Sequence, residues 1–199
     1  MDRFADVRAQ AIVRFHDDAI ARDLACVRSD APWPAIAENH LNNRLLWAEE
    51  DLARRRDVAD REIVANKRAI DRCNQRRNDA IERIDEALLA RLGGVTPDDA
   101  AWQNSETAGS IVDRLSILAL KVHHMDREVQ RDDASESHRA LCAEKHARLV
   151  LQRDDLARCY DVLLDAAQDG CAFWRVYRQY KMYNDPATNR YLAGGRSGD

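Results

Sequence analysis

Long stretches of this chain run without a helix breaker, and within them apolar residues recur at steps of three and four. Residues 57 to 92 contain no glycine or proline, and neither do residues 110 to 169. Only seven glycines and four prolines occur in 199 residues. A three-four step marks one face of an α-helix. No alternating run of β-branched residues marks a strand. The chain is therefore expected to be all-α, with its helices long and its connections few.

The breakers set the boundaries. Residues 1 to 28 are helical in pattern. Asp30, Pro32 and Pro34 interrupt that pattern and start a second helix, which runs to about Arg56. Asp57 or Asp60 is placed to cap a third, which continues to Leu92 and stops at Gly93-Gly94. Thr96-Pro97 opens a short connecting helix ending near Gln103. A fourth helix begins near Ser105 or Thr107, and its Ile111, Leu115, Leu118, Val122, Met125 and Val129 form a heptad-like seam of coiled-coil type. Ser135 caps a fifth, with Leu141, Leu149, Leu156 and Leu163 on one side, which ends by Gly170. A last helix spans Phe173 to Tyr183. The expected architecture is a single bundle of about five long helices plus a short connecting helix. It forms one domain over residues 1–192, and the Gly/Ser-rich tail 193–199 is expected to be flexible.

Charge narrows the partners. The chain has 31 basic and 35 acidic residues, net −4, with signs interleaved. That pattern belongs to solvated helices and leaves no basic stripe, so no nucleic-acid partner is expected. No apolar run approaches the roughly 20 residues of a membrane span, so no membrane insertion is expected. The first residues, MDRFADVRAQAIVRFHDD, carry charges throughout and lack a signal-peptide core. A cytoplasmic location follows as an expectation. Five cysteines, none in a C-x-x-C pair, read as buried free thiols.

Two helices carry polar stripes. In the second, His40, Asn43, Trp47, Glu50 and Arg54 share a face; in the third, Asp71, Asn74, Asn78, Glu82 and Asp85 do. Leu41, Leu45 and Leu52 flank the first stripe, and Ile70, Cys73, Ile81, Ile84 and Leu88 flank the second; these are read as the core side. Asparagine is a poor choice inside a helix, so the amides are expected to bond across a helix interface or to a ligand's hydroxyls. His40 and Glu50 lie about 15 Å apart along one helix, too far to share an ion. Glu50 and Asp51 joined by Asp71, Asn74 or Asn78 would make an oxygen-rich set suited to a divalent metal such as Mg²⁺ or Mn²⁺. The Glu-x-x-His pairs of di-iron bundles are missing. Of the paired Glu-x-x-Glu and Glu-x-x-Asp motifs of helical pyrophosphohydrolases, only Glu82-x-x-Asp85 occurs. No metal ligand is assigned, and the cofactor stays open. The opposing reading pairs these carboxylates with Arg54, Arg55, Arg76 and Arg77. In the run from Tyr177 to Asp185, Arg178 and Lys181 suit phosphate and the tyrosines suit stacking on a ring.

Four runs appear together in order: HLNNRLLWAEEDLARR, KRAIDRCNQRRNDAIERID, GSIVDRLSILALKVHHM and YRQYKMYNDP. With them the chain resembles, from roughly residue 30 to 190, a bacterial family catalogued as domain of unknown function 4254. The third run is also similar to a G-E-x-x-D-K-x-T-I-L-x-x-K stretch of proteins from sugar-polymer gene neighbourhoods. Gly109, Asp113, Ile117, Leu118 and Lys121 match it; Ser110 replaces its acidic residue, Arg114 its lysine and Ser116 its threonine. Some members of the family are encoded near glycosyltransferases, so the resemblance implies a place in surface-polysaccharide metabolism. The expected function is an enzyme, or enzyme accessory, acting on a phosphorylated sugar or nucleotide-sugar. His40, Glu50 and Asp51 are the candidate catalytic residues. Asn43, Trp47, Arg54, Asn74, Arg77, Asn78, Asp79, Lys181, Tyr183 and Asn184 are the candidate ligand-binding residues. The alternative is a non-catalytic helical interaction module that binds a glycosyltransferase, or itself, through the fourth-helix seam.

Overall fold

A computed structural model describes residues 2–22, 28–178, 182 and 185–193. Its helices are α1 (Ala9–Arg22), α2 (Trp33–Leu52), α3 (Asp60–Arg91), α4 (Ala108–Val129), α5 (Glu136–Gln168) and the short α6 (Arg190–Ala193). Two-residue strands β1 (Trp102–Gln103) and β2 (Ala172–Phe173) pair in parallel. The fold is all-α, with 69% of the described residues in helix.

Two long hairpins make the bundle: α2 lies along α3, and α4 along α5, with α1 set against α4 and α5. α4 is the central helix and touches every other long one. Its Ile111, Val112 and Leu115 are buried and share one core with Ile12, Ile36, Ile84, Leu88, Leu163 and Leu164. The heptad-like seam is thus consumed inside the molecule. Ile111, Leu115 and Leu118 are buried, and Val122, Met125 and Val129 are half-buried.

Helix starts are satisfied from near and far. The Thr107 hydroxyl accepts the Ser110 N–H at the start of α4, and Ser135 does the same for His138 on α5. Two further N–H groups are met by carboxylates of other helices. Asp161 of α5 accepts from Ala9 at 2.9 Å, and Asp85 of α3 accepts from Gly109 at 2.6 Å. These bonds tie the start of one helix to the flank of another. Gly109 is what allows the second: a Cβ there would lie 2.6 Å from the Ile81 carbonyl and 2.8 Å from the Asp85 carboxyl carbon.

Several local expectations are corrected. Residues 2–8 are turns, not helix, with Asp2 accepting the Phe4 N–H at 2.9 Å. Ala59, rather than Asp57 or Asp60, precedes α3, and no side chain caps it. The connecting helix from Thr96 to Gln103 is absent. That segment runs extended beside residues 170–173, with Asp98 N–H donating to the Gly170 carbonyl and Trp102 N–H to that of Cys171. Phe173 lies in β2 and residues 174–178 form no helix, which removes the described part of the expected last helix. The cause is the Asp169-Gly170 turn. Gly170 sits at φ +78°, and a Cβ there would press the Thr96 carbonyl at 3.2 Å, so the chain leaves α5 sharply and pairs with β1. Tertiary pairing overrides local helix preference. Residues 23–27, Gln179–Lys181, Tyr183–Asn184 and the tail from Gly194 lie outside the described residues.

The faces of α2 are also inverted relative to expectation. Leu41, Leu45 and Leu52 are 50%, 42% and 40% exposed, while Asn39, His40, Asn42 and Asn43 are buried. Cys73 and Cys142 are buried thiols as expected, whereas Cys159 and Cys171 are exposed. No helix among the described residues is long and apolar enough to cross a membrane.

Gly109→Ala is expected to destabilise the protein by about 2–3 kcal/mol through overpacking. In a chain of this size that is a melting temperature lower by roughly 5–10 °C. Thermal denaturation checks it; an unchanged transition would show that α3 and α4 do not approach so closely.

Candidate functional site

Asp113 of α4 gathers three helices. Its Oδ1 accepts from Asn39 Nδ2 (2.9 Å), Asn43 Nδ2 (3.0 Å) and Arg77 Nε (2.7 Å). Its Oδ2 accepts from Arg77 Nη2, completing a two-pronged ion pair. Asn43 Nδ2 also donates to Ser116 Oγ (3.0 Å), which is bonded to His40 Nδ1 at 2.8 Å. The amides at steps of four on α2 therefore meet a carboxylate and a hydroxyl at a step of three on α4. The Asp113 side chain is 5% exposed and that of Arg77 is 26% exposed, so the guanidinium leads outward from the buried network. Hydrogen bonding to Asp113 raises the Arg77 pKa and burial opposes it. Arg77 stays charged, and among the described residues its Nη1 makes no hydrogen bond.

Behind this network two imidazoles stack. The His16 and His40 rings lie 4.6 Å apart at 21°, both fully buried. Burial is the main cause of their depressed pKa values: His40 falls to about 4, and His16 falls well below its ordinary value. Both are neutral at pH 7. His40 Nε2 and both His16 nitrogens find no partner among the described residues.

Two clefts open along the groove between α3 and α4. The first, about 330 Å³, is lined by Asn43, Trp47, Glu50, Asp51, Arg54, Asn74 and Arg77, with Ile117 and Leu120 from α4. Trp47 is half-buried and stacks on His124 at 4.3 Å and 3°. Burial and the neighbouring His123 hold the His124 pKa down. Glu50 bonds Arg54 one turn along its own helix at 2.8 Å. The second cleft, about 500 Å³, is lined by Asn78, Glu82, Asp85, Thr107, Ser110 and Tyr177, among others. Burial raises the Asp85 pKa to about 6, against the lowering effect of the Thr107 hydroxyl and the Gly109 N–H; Glu82 adds to the rise.

Seven of the sequence-predicted residues share the first cleft: Asn43, Trp47, Glu50, Asp51, Arg54, Asn74 and Arg77. Others do not join them. His40 is buried against His16 and Ser116 and lines neither cleft. Asn78 lines the second cleft. Asp79 is exposed and bonded to Gln75 at 2.7 Å. The contact to α3 expected of Glu50 belongs to Glu49, which accepts from Asn66 at 2.8 Å. Lys181, Tyr183 and Asn184 lie outside the described residues. Among the described residues no three His, Cys, Asp or Glu side chains come together as a metal site. The sequence reading named Asp113 and Ser116 only within the resemblance and gave no site role to them, to Asn39 or to His124. A polar three-step inside the apolar seam of α4, Asp113 and Ser116, was the available signal.

The sequence model of the family described as "Protein of unknown function (DUF4254)" matches residues 33–176. No curated protein and no solved structure matches the chain.

Two predictions separate scaffold from site. Asp113→Ala strands Arg77, Asn39 and Asn43 and is expected to cost about 3–5 kcal/mol, while Glu50→Ala removes a solvated pair and costs under about 0.5 kcal/mol. Equilibrium unfolding in urea measures both; equal costs would refute the assignment of Asp113 to the scaffold. The second concerns pH. His40 and His16 have depressed folded pKa values, so their stability contribution is lost as pH falls below about 6.5, over about 3 kcal/mol for His40. Asp85 has a raised value, so its contribution, also about 3 kcal/mol, is present below about 4 and is lost as pH rises through about 6. The two terms oppose, and His16 tips the balance toward acid lability. Asp85→Asn should steepen the loss of melting temperature between pH 6.5 and 4, and His16→Leu should shallow it. A wild-type melting temperature that rises on acidification would contradict this account.

Proposed function

The chain belongs to the DUF4254 family, and we propose that it binds a phosphorylated sugar or nucleotide-sugar in the cleft between α2, α3 and α4, as an enzyme or enzyme accessory of surface-polysaccharide metabolism. The observation that carries the reading is Arg77. Its guanidinium is oriented by Asp113 and reaches a cleft wall, with one Nη that makes no hydrogen bond among the described residues. A preoriented guanidinium is suited to a phosphate oxygen, and fixing it in advance lowers the entropy cost of binding. Arg54 stands on the same cleft as a second cation, Asn74 offers an amide to hydroxyls, and Trp47 offers a ring for stacking. If a reaction follows binding, Glu50 and Asp51 are the cleft's carboxylates for proton transfer.

One observation favours a second reading, the interaction module. Leu41, Leu45, Ala48 and Leu52 form an exposed stripe on α2. With the α4 seam internal, that stripe is the surface on which a glycosyltransferase or a second copy would dock. Sedimentation of the wild type and of Leu45→Glu distinguishes it, since self-association through the stripe would be lost in the variant.

A thermal-shift series with UDP, GDP, ADP, UDP-glucose, GDP-mannose, ADP-glucose and glucose 1-phosphate tests the main reading. At least one should raise the melting temperature, since a ligand of the native state stabilises it. Arg54→Ala and Asn74→Ala should each weaken that ligand about tenfold, or about 1.4 kcal/mol, at unchanged parent stability. No shift with any compound, or equal affinity in both variants, refutes it.

A further inference from the structure

The two clefts follow one another along the same pair of helices. On α3, Asn74 lines the first, and Asn78, Ile81 and Asp85 continue the same face through the second. On α4, Ile117 lines the first and Ser110 the second, seven residues apart on one face. The antiparallel match is fixed by two contacts already described, Arg77 with Asp113 and Asp85 with Gly109. These anchors are eight residues apart on α3, so the two ends lie roughly 12 Å from each other. Arg114 stands between Ser110 and Ile117 on α4, ion-paired at 2.7 Å with Glu106. Glu106 itself lines the second cleft.

The chemistry of the two ends differs. The first has two guanidinium groups, Arg54 and Arg77, with a tryptophan, beside the carboxylates of Glu50 and Asp51. Among the described residues the second has no arginine or lysine in its lining; it is walled by the Asn78 amide, three hydroxyl side chains besides the Tyr177 phenol, and the carboxylates of Glu82, Glu106 and Asp85. A neutral polyol matches such a wall, with donors for carboxylates and acceptors for hydroxyls. We propose that the clefts are two halves of one elongated site. The arginine end holds the diphosphate of a nucleotide-sugar, and the Asn78–Asp85–Tyr177 end holds its uncharged sugar. This rests on the phosphate-binding reading above and specifies the ligand as a diphosphate joined to a neutral polyol. A carboxyl that titrates near pH 6, as Asp85 does, can accept from a sugar hydroxyl or donate to one.

Calorimetric titration of UDP, GDP and ADP against UDP-glucose, GDP-mannose and ADP-glucose tests it. The conjugate of the preferred nucleotide should bind at least about tenfold tighter than the bare diphosphate. In Asn78→Ala/Tyr177→Phe that advantage should fall below about threefold, with the bare diphosphate bound as before. Melting temperature controls for the fold, and Tyr177→Phe alone, at an exposed position, supplies a variant that cannot fail by unfolding. Bare diphosphates that bind with no advantage for any conjugate overturn this proposal and leave the preceding reading standing. An advantage that survives the double variant places the sugar elsewhere and overturns it too. No binding by any of the six compounds overturns both.

Discussion

A carboxylate buried at the meeting of three helices has to be neutralised and hydrogen-bonded, or the fold loses several kcal/mol. Asp113 meets that demand with Arg77 from α3 and with Asn39 and Asn43 from α2. The solution constrains everything around it. It sets the register of α2 against α4, because amides four apart on one helix must face Asp113 and Ser116 on the other. It sets the rotation of α2, which turns its amides inward and leaves Leu41 and Leu45 outside. It also fixes the guanidinium that reaches the first cleft. Scaffold and candidate site are therefore coupled through one ion pair. A change at Asp113 is expected to act on stability and on the proposed binding together, whereas a change at Arg54 touches the cleft without touching the buried network.

Backbone groups carry a similar economy. α1 and α4 each begin at the flank of another helix, where Asp161 and Asp85 accept N–H groups that would otherwise point into protein. A negative group near a helix start is favoured by the helix dipole as well. For Asp85 the arrangement leaves a residue of cost, since burial raises its pKa in spite of the donors. That residual proton affinity, at the wall of a cleft, makes the position chemically versatile while it holds α3 to α4. Opposing it, the stacked pair of His16 and His40 stays neutral and resists protonation. These two demands act on the pH response of the molecule in opposite directions.

Much of the arrangement was readable in the residues. The three-four periodicity and the scarcity of breakers specify long helices, and Thr107 and Ser135 mark their starts because a hydroxyl at that position has a nearby N–H to accept. The polar stripe of α2 borders a cleft that it shares with Asn74 of the α3 stripe, while Asn78, Glu82 and Asp85 of that stripe line the second cleft. What could not be read was depth. A stripe of His40 and Asn43 beside a stripe of leucines gives no way to decide which is buried, because amides buried with partners and amides bound to ligand look the same on a helical wheel. The sequence reading took the leucines as core and His40 as chemistry; the partners on α4 reversed both.

The chain itself determined its class, its helix lengths and the spacing of its chemistry, because these depend on neighbours three and four residues away. Tertiary structure decided the rest. The Asp169-Gly170 turn and the pairing of β1 with β2 replaced the expected connecting helix and the described part of the expected last helix, since backbone groups brought together from 70 residues apart outweighed local preference. The pairing of Asp113 with Arg77 decided which polar residues are buried in the scaffold and which line a cleft. Each of those outcomes depends on a partner remote in sequence, and the burial that makes a polar group costly or reactive exists only once that partner is in place.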